Sequence, residues 1–334
     1  MNDYNALADI ALAGGELNDA QCRAALDAPD ADLLDLLAAA YRVRRRFWGR
    51  RVQIHVLTNA KSGLCPEDCH YCSQSAISTA PIERYNLMST EQLLAEARRA
   101  AAARSRRYCI VLSGRGPSDA EVEGVCRAVR AIKAELDVDI CCSVGLLEPD
   151  QARRFKEAGV DRVNHNLNTS ERHHESICTT HTFQDRMRTL RVCREAGLEL
   201  CSGAIFGQGE ADDDIIDVTR EFRRVGMESI PINFLIPIAG TPFGERDTGL
   251  NPRRCLKILA LVRFLNPDRE IRVAGGREVH LRSLQPLALY AANSIFVTGY
   301  LTEPGQDAPE AWRMIEDLGF EIELPPVESR ALPT

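Results

Sequence analysis

The 334-residue sequence has no apolar run of about 18 residues, the length that a membrane-crossing helix needs. It has no excess of positive charge. At a net charge of −7, a broad electrostatic grip on nucleic acid or anionic lipid is not expected. Its opening, MNDYNALADIALAGGELNDA, lacks a basic flank and a long apolar core, so no signal peptide is expected. There is no low-complexity tract and no evident internal repeat. The twelve cysteines do not follow the spacing of a small disulfide scaffold. In a chain of this length without an export signal, they point to a reduced, cytoplasmic protein that uses thiolates for metal. One more thing is missing. Residues 65–72 read CPEDCHYC, three cysteines spaced C-x-x-x-C-x-x-C, and no further cysteine follows until Cys109.

What is present is alternation. Eight β-branched runs read as strands: 52–58, 107–113, 138–144, 160–167, 198–206, 229–236, 270–275 and 294–299. Between most of them lie stretches rich in Ala, Glu, Leu and Arg, several closing on a glycine suited to a left-handed cap (Gly159, Gly197, Gly226). Repeated β–α alternation implies parallel strands with helices outside, and eight units imply an α/β fold of the closed (β/α)8 TIM-barrel type. The seventh and eighth helices are poorly marked. Residues 1–49 read as an N-terminal helical extension, 50–320 as the barrel, and 321–334 as a loose C-terminal tail.

The three-thiol loop admits two metals. Structural zinc usually takes four ligands, often as two C-x-x-C pairs. Here only Cys69 and Cys72 form such a pair, and His70 between them is expected to face elsewhere. A four-iron cubane fits better. Thiolates hold three corners, and the open iron can take oxygen and nitrogen atoms of a substrate or cofactor. Cys22, Cys126, Cys193 and Cys255 fall in helix-like stretches and read as small buried residues.

C-x-x-x-C-x-x-C with an aromatic before the last cysteine, directly after the first strand, resembles the radical S-adenosylmethionine (SAM) enzymes. The ordered set CPEDCHYCSQS, RYCIVLSGRGPS, VDRVNHNLNTS, LCSGAIFGQGE, SIPINFLIPIAGTP, IRVAGGRE and YAANSIFVTGYL, over roughly residues 50–320, is similar to the biotin synthases within that superfamily. The resemblance implies that Cys65, Cys69 and Cys72 are the catalytic cysteines and hold a 4Fe–4S cluster. SAM would chelate the open iron, with Tyr71 beside its adenine. It implies insertion of sulfur into dethiobiotin to form biotin, at the expense of two SAM molecules. It also implies a sulfur-donating auxiliary cluster with ligands Cys109, Cys141, Cys201 and Arg272; retention of the arginine favours the 2Fe–2S form.

The residues support that second site independently. The four ligands fall on the second, third, fifth and seventh candidate strands, and inward-facing side chains from such scattered strands converge only inside a barrel. Arg272, taken to have no carboxylate near it in sequence, would need a negative partner in the interior, and a sulfide-bridged cluster would be one. Cys141 and Cys142 are neighbours on a strand and face opposite ways. Alignment of DICCSVGLL with the family selects Cys141, whereas a one-residue slip would select Cys142. Cys178, in SICTTHT, reads as incidental.

Asn164, Asn166 and Asn168 recur with period two at the end of the fourth strand and so share one face. Amides offer both donors and an acceptor, which suits a ureido ring. By resemblance, Asn164 and Asn166 contact dethiobiotin, Asn166 and Asn168 reach the SAM ribose, Asn233 is another ureido contact, and Arg186 partners the SAM carboxylate. Some family members carry Asp where Asn168 stands. Gly114 and Gly116, in LSGRGPS, would let the backbone approach the methionine end of SAM. The partners implied are a flavodoxin- or ferredoxin-type electron donor, the iron–sulfur assembly machinery and a second copy in a homodimer, with neither nucleic acid nor membrane. Two rivals stay open: another radical SAM barrel enzyme, such as a hydrogenase-maturase or methylornithine-synthase relative, and a non-catalytic zinc-stabilised or iron-sensing binding protein.

Overall fold

The computed structural model describes residues 3–303 and 305–325. Nine strands follow one another around a sheet: β1 (Arg51–Lys61), β2 (Arg107–Leu112), β3 (Asp139–Ser143), β4 (Arg162–Asn164), β5 (Glu199–Cys201), β6 (Ala204–Phe206), β7 (Ser229–Phe234), β8 (Glu270–Val273) and β9 (Ser294–Phe296). All pairings are parallel, and β9 pairs back onto β1, closing a barrel in which β5 and β6 together fill one of eight positions. The α/β barrel expected from the alternation is therefore the fold.

Three helices precede the barrel: α1 (Tyr4–Leu12), α2 (Asp19–Leu26) and α3 (Leu33–Trp48). The outer ring comprises α4 (Thr90–Ala102), α5 (Asp119–Glu135), α6 (Pro149–Ala158), α7 (Phe183–Glu195), α8 (Asp212–Val225) and α9 (Pro252–Leu265). Local chemistry sets their ends. Ser89, Ser118 and Thr182 each accept from the third helical N–H of α4, α5 and α7 in reciprocal capping boxes. Gly159 and Gly226 close α6 and α8 in the left-handed conformation. After β8 the crossover is carried only by α10 (Arg277–Leu281) and α11 (Gln285–Ala288), too short to show a helical period; α12 (Ala308–Asp317) follows β9. None of these helices is long and apolar enough to cross a membrane.

Two buried cations near the strand starts are satisfied by carbonyls. Arg44, on α3, is fully buried and donates to the carbonyl oxygens of Ala292, Gly49 and Arg51 at 3.0, 2.5 and 2.7 Å. Burial lowers its guanidinium to about 10. Arg263, on α9, is likewise fully buried and donates to the Ala291, Pro267 and Arg269 carbonyls and to Asn293 Oδ1. These two arginines tie the helical extension and α9 to the strand starts.

Three expectations need correction. The run 198–206 is two strands, because Pro231 in β7 has no N–H to offer and the chain opposite it breaks at Ser202–Gly203. The fourth strand stops at Asn164 rather than running to residue 167. The segment after Gly319 is not loose: β10 (Glu321–Ile322) pairs parallel to β1, with Glu321 and Glu323 donating N–H bonds to Arg50 and Val52. The rest of the expected tail, 326–334, lies outside the described residues.

Gly203 has no room for a side chain, since a Cβ there would lie 1.7 Å from the Pro231 carbonyl oxygen. Gly203→Ala is expected to cost about 3 kcal/mol of stability, read as a lowered urea midpoint in iron-free protein. An unchanged midpoint would show that the β5–β7 contact is looser than described.

Candidate active site

A cavity of about 280 Å³ opens at the C-terminal ends of the strands, the face on which barrel loops assemble active sites. Cys65, Cys69 and Cys72 all line it. Their loop follows β1 and is pinned on both sides: His70 N donates to Ile177 O at 3.0 Å, and Phe243 N to His70 O at 3.2 Å. The two acids of CPEDC anchor it. Asp68 accepts from the Thr179 and Thr180 amides at 2.9 and 3.2 Å. Glu67 accepts from Arg115 Nη1 at 3.0 Å, from Thr180 Oγ1 at 2.5 Å and from His181. The His70 ring packs edge-on against Phe243 and does not line the cavity.

Burial pushes the Cys72 thiol up to about 11 and raises that of Cys65. The hydrogen bond to Cys178, and then burial, raise that of Cys69. Thiols that hold their protons against water give them up to a bound cation. Three thiols on one loop, with no fourth cysteine lining the cavity among the described residues, fit a cluster that leaves one iron open.

Opposite the loop stand the amides. Asn164, Asn166 and Asn168 all line the cavity, though not by strand alternation, because the chain leaves β4 after Asn164 and Asn168 takes a left-handed φ of 69°. Asn is one of the few residues that adopt this conformation easily. Asn168 donates to Tyr71 OH at 2.5 Å, joining the cysteine loop to the end of β4. Asn166 Oδ1 accepts from Asn164 Nδ2 at 2.9 Å and from Gly203 N at 3.0 Å. Asn233, near the end of β7, accepts from Gly275 N at 2.9 Å and donates to Ala204 O at 3.1 Å. Arg186 is no solvated helix-surface residue. It is buried, lines the cavity, donates to Asn166 O at 2.7 Å and meets His181 Nε2 at 2.6 Å; its Nε has no partner. Of the two glycines after β2, only Gly114 lines the cavity. Gly116 is pressed against the Leu146 carbonyl, 2.6 Å from where its Cβ would be.

Below the amides lies a second group of thiols. Cys109 and Cys141 are in register on β2 and β3, and Cys201 ends β5 beside Asn164, whose Nδ2 is 3.3 Å from its Sγ. All three are buried, and the Cys141 thiol lies close to those of Cys109 and Cys201. Cys142 points the other way, into the core between sheet and helices. Arg272 Nη1 lies 3.8 Å from Cys201 Sγ, and its guanidinium sits 4.9 Å over the Phe296 ring. Three free thiols meeting a guanidinium in a dry interior are a donor set for a compact, thiolate-bound group.

Two close neighbours of the candidate residues are not evident in the sequence pattern as first read. Arg272 does have a carboxylate partner: Glu270 forms a buried ion pair with it. The two stand two residues apart on β8, so strand alternation alone would have put them on one face. Cys178 is not incidental in position. Its Sγ is 3.7 Å from Cys69 Sγ, 3.1 Å from Asp68 and 3.3 Å from His181 Nδ1. Nothing in the local pattern of SICTTHT marks that approach, which depends on how the loop after β4 folds back onto the cysteine loop.

Comparison with known proteins decides the lineage. Residues 61–222 match the Radical SAM superfamily, and residues 231–321 match the Biotin and Thiamin Synthesis associated domain. Biotin synthase of Geobacillus kaustophilus (strain HTA426) is 53% identical over 326 residues, 98% of each chain. Biotin synthase of Bacillus subtilis (strain 168) is 53% identical over 323 residues, 97% of this chain and 96% of that one. The chain belongs to the biotin synthase family. Biotin synthase relatives therefore match it from end to end, and the barrel itself extends further. A methylornithine synthase structure superposes with a TM-score of 0.83 at 21% identity, covering 95% of this chain and 97% of that one. The FeFe-hydrogenase maturase of Carboxydothermus hydrogenoformans superposes with a TM-score of 0.81 at 18% identity, covering 96% and 79%. At those identities the likeness is one of fold alone.

The opposite orientations of Cys141 and Cys142 give a direct test. Cys141→Ala is expected to lose the iron and sulfide of one cluster on anaerobic reconstitution. Cys142→Ala should keep both clusters and cost only about 1 kcal/mol of stability from the small void it leaves. Loss of iron in the Cys142 variant instead would mean that β3 has slipped by one residue.

Proposed function

We propose that this chain makes biotin from dethiobiotin by radical SAM-dependent sulfur insertion, as a sulfurtransferase with two iron–sulfur clusters. One observation carries the reading. Asn164 lines the upper cavity beside the three-cysteine loop, and the same amide nitrogen reaches Cys201 of the lower thiol group at 3.3 Å. A substrate held by these amides would lie between a site that generates a radical and a site that stores sulfur.

When bound, the 4Fe–4S cluster with SAM supplies the 5′-deoxyadenosyl radical, and the 2Fe–2S cluster supplies the sulfur. The chain's residues position and shield. Cys65, Cys69 and Cys72 would hold the first group. Cys109, Cys141, Cys201 and Arg272 would hold the second. The unpartnered Nε of Arg186 suits the SAM carboxylate. Asn168 and Asn166 suit the ribose, and Tyr71, tied to Asn168, suits the adenine. Toward dethiobiotin, Asn166 Oδ1 is engaged by two protein N–H groups, so Asn166 offers N–H, and Asn233 keeps one N–H beyond its bond to Ala204 O. That matches the ureido carbonyl. Leu112, Ile205, Phe234 and Leu235 supply apolar wall to the cavity. An apolar lining excludes water, which a reactive carbon radical requires. Electrons from a flavodoxin- or ferredoxin-type donor, upkeep by the assembly machinery, a homodimeric state and a cytoplasmic setting belong to the same proposal.

The test is anaerobic incubation with SAM, reductant and dethiobiotin, with mass-spectrometric detection of biotin. Cys69→Ala is expected to abolish SAM cleavage. Cys201→Ala should retain part of the cleavage yet form no biotin. Equal loss of both activities in both variants would contradict the division of labour between the two thiol groups.

A further inference from the structure

Beneath the lower thiols, one carboxylate stands at the centre of a charged network. Glu270 is 2% exposed. Its Oε1 pairs with Arg272 Nη2, accepts from Ser294 Oγ at 2.9 Å and lies 3.1 Å from His55 Nε2. Its Oε2 accepts from Arg162 Nη1 at 2.6 Å and faces Arg107 Nη1 at 3.6 Å. Arg107 and Arg162 have other acids. Arg107 also pairs with Asp139, and both pair with Glu199. For Arg272, Glu270 is the ion-pair partner among the described residues.

The way Arg272 is divided among its partners is informative. Nη2 is held twice, by Glu270 and by Ser229 Oγ at 2.9 Å. The Nε has no partner. Nη1 reaches toward Cys201, 3.8 Å from its Sγ, while the guanidinium carbon lies over the Phe296 ring, 4.9 Å from its centroid. A guanidinium is a rigid planar fork, so holding one terminal nitrogen by two partners also constrains the direction of the other. Without Glu270, Arg272 would keep a single neutral bond to Ser229. It would also face Arg162 and Arg107 with the nearest compensating charge removed.

We propose that Glu270 is the positioning residue of the auxiliary cluster site: it clamps Nη2 of Arg272 so that Nη1 is the nitrogen presented to iron. This rests on the reading of Arg272 as a ligand of that cluster and adds the orientation of the ligand and the group that sets it. Glu270 would act through the arginine with which it pairs. His55 Nε2 meets the same oxygen of Glu270 that pairs with Arg272, so the carboxylate is held from that side as well.

The experiment compares wild type, Glu270→Gln, Glu270→Asp, Arg272→Met and the Glu270→Gln/Arg272→Met double variant after anaerobic reconstitution. Iron and sulfide per chain, the Mössbauer and visible spectra of each cluster, and the thermal midpoint are measured. Glu270→Gln is expected to keep the 4Fe–4S signature and SAM cleavage, while the auxiliary spectrum shifts toward that of Arg272→Met. The double variant should match Arg272→Met, because a clamp has nothing to do once its arginine is gone. Glu270→Asp keeps the charge but is one methylene shorter, so it should fold if the amide variant does not, and should show a smaller shift in the same direction. An auxiliary spectrum unchanged in both Glu270 variants, alongside a changed one in Arg272→Met, would overturn the clamp and leave the proposed function standing. A wild type with only one cluster, or an Arg272→Met spectrum identical to wild type, would instead overturn the ligand reading on which the clamp rests.

Discussion

A closed parallel barrel brings side chains from strands far apart in sequence to one height, and the rest of this site depends on that convergence. Register settles which residues meet. Cys109 stands beside Cys141, Asn164 beside Cys201, Cys201 beside Ser229, and Arg272 beside Ser294. Each pair is fixed by backbone hydrogen bonds, and a slip of one residue would turn every member of a strand outward. The thiol group and its arginine therefore need no local motif. They meet because the sheet closes, with β9 returning to β1.

The charges below the thiols are balanced by the protein itself. Arg107, Arg162 and Arg272 face Glu270, with Asp139 and Glu199 at the edge. Arg272 thus does not wait for an iron–sulfur group to supply its counter-charge. Buried ion networks of this kind contribute little net stability, because desolvation offsets attraction, but they hold their members in fixed orientation. For a guanidinium asked to present one nitrogen, orientation is the useful property.

Much of this was legible in the sequence, and the failures have physical reasons. The alternation of β-branched runs with Ala- and Glu-rich stretches is a period signal, and it gave eight barrel positions. The cysteine loop was legible because CPEDCHYC is contiguous and polar. The break at Gly203 was not, because its cause, Pro231, lies in another strand. The short α10 and α11 gave no periodicity to read. Glu270 was within reach: it lies two positions before Arg272, and the alternation rule that placed the cysteines would have paired them. Cys178 was out of reach, since its approach to Cys69 depends on tertiary folding of two loops. Arg186 was recognisable only through family likeness, because one arginine on an amphipathic helix looks like any other until its burial is known.

The layering of the barrel interior has a consequence for traffic. The Glu270 network is buried with Arg272, whose Nη1 reaches Cys201. Asn164, at the wall of the upper cavity, touches Cys201, so that chamber borders the thiols as well as the cysteine loop. Sulfur or iron delivered to the thiols by way of that chamber would compete for space with cofactor and substrate. Repair by that route and turnover would then alternate in time.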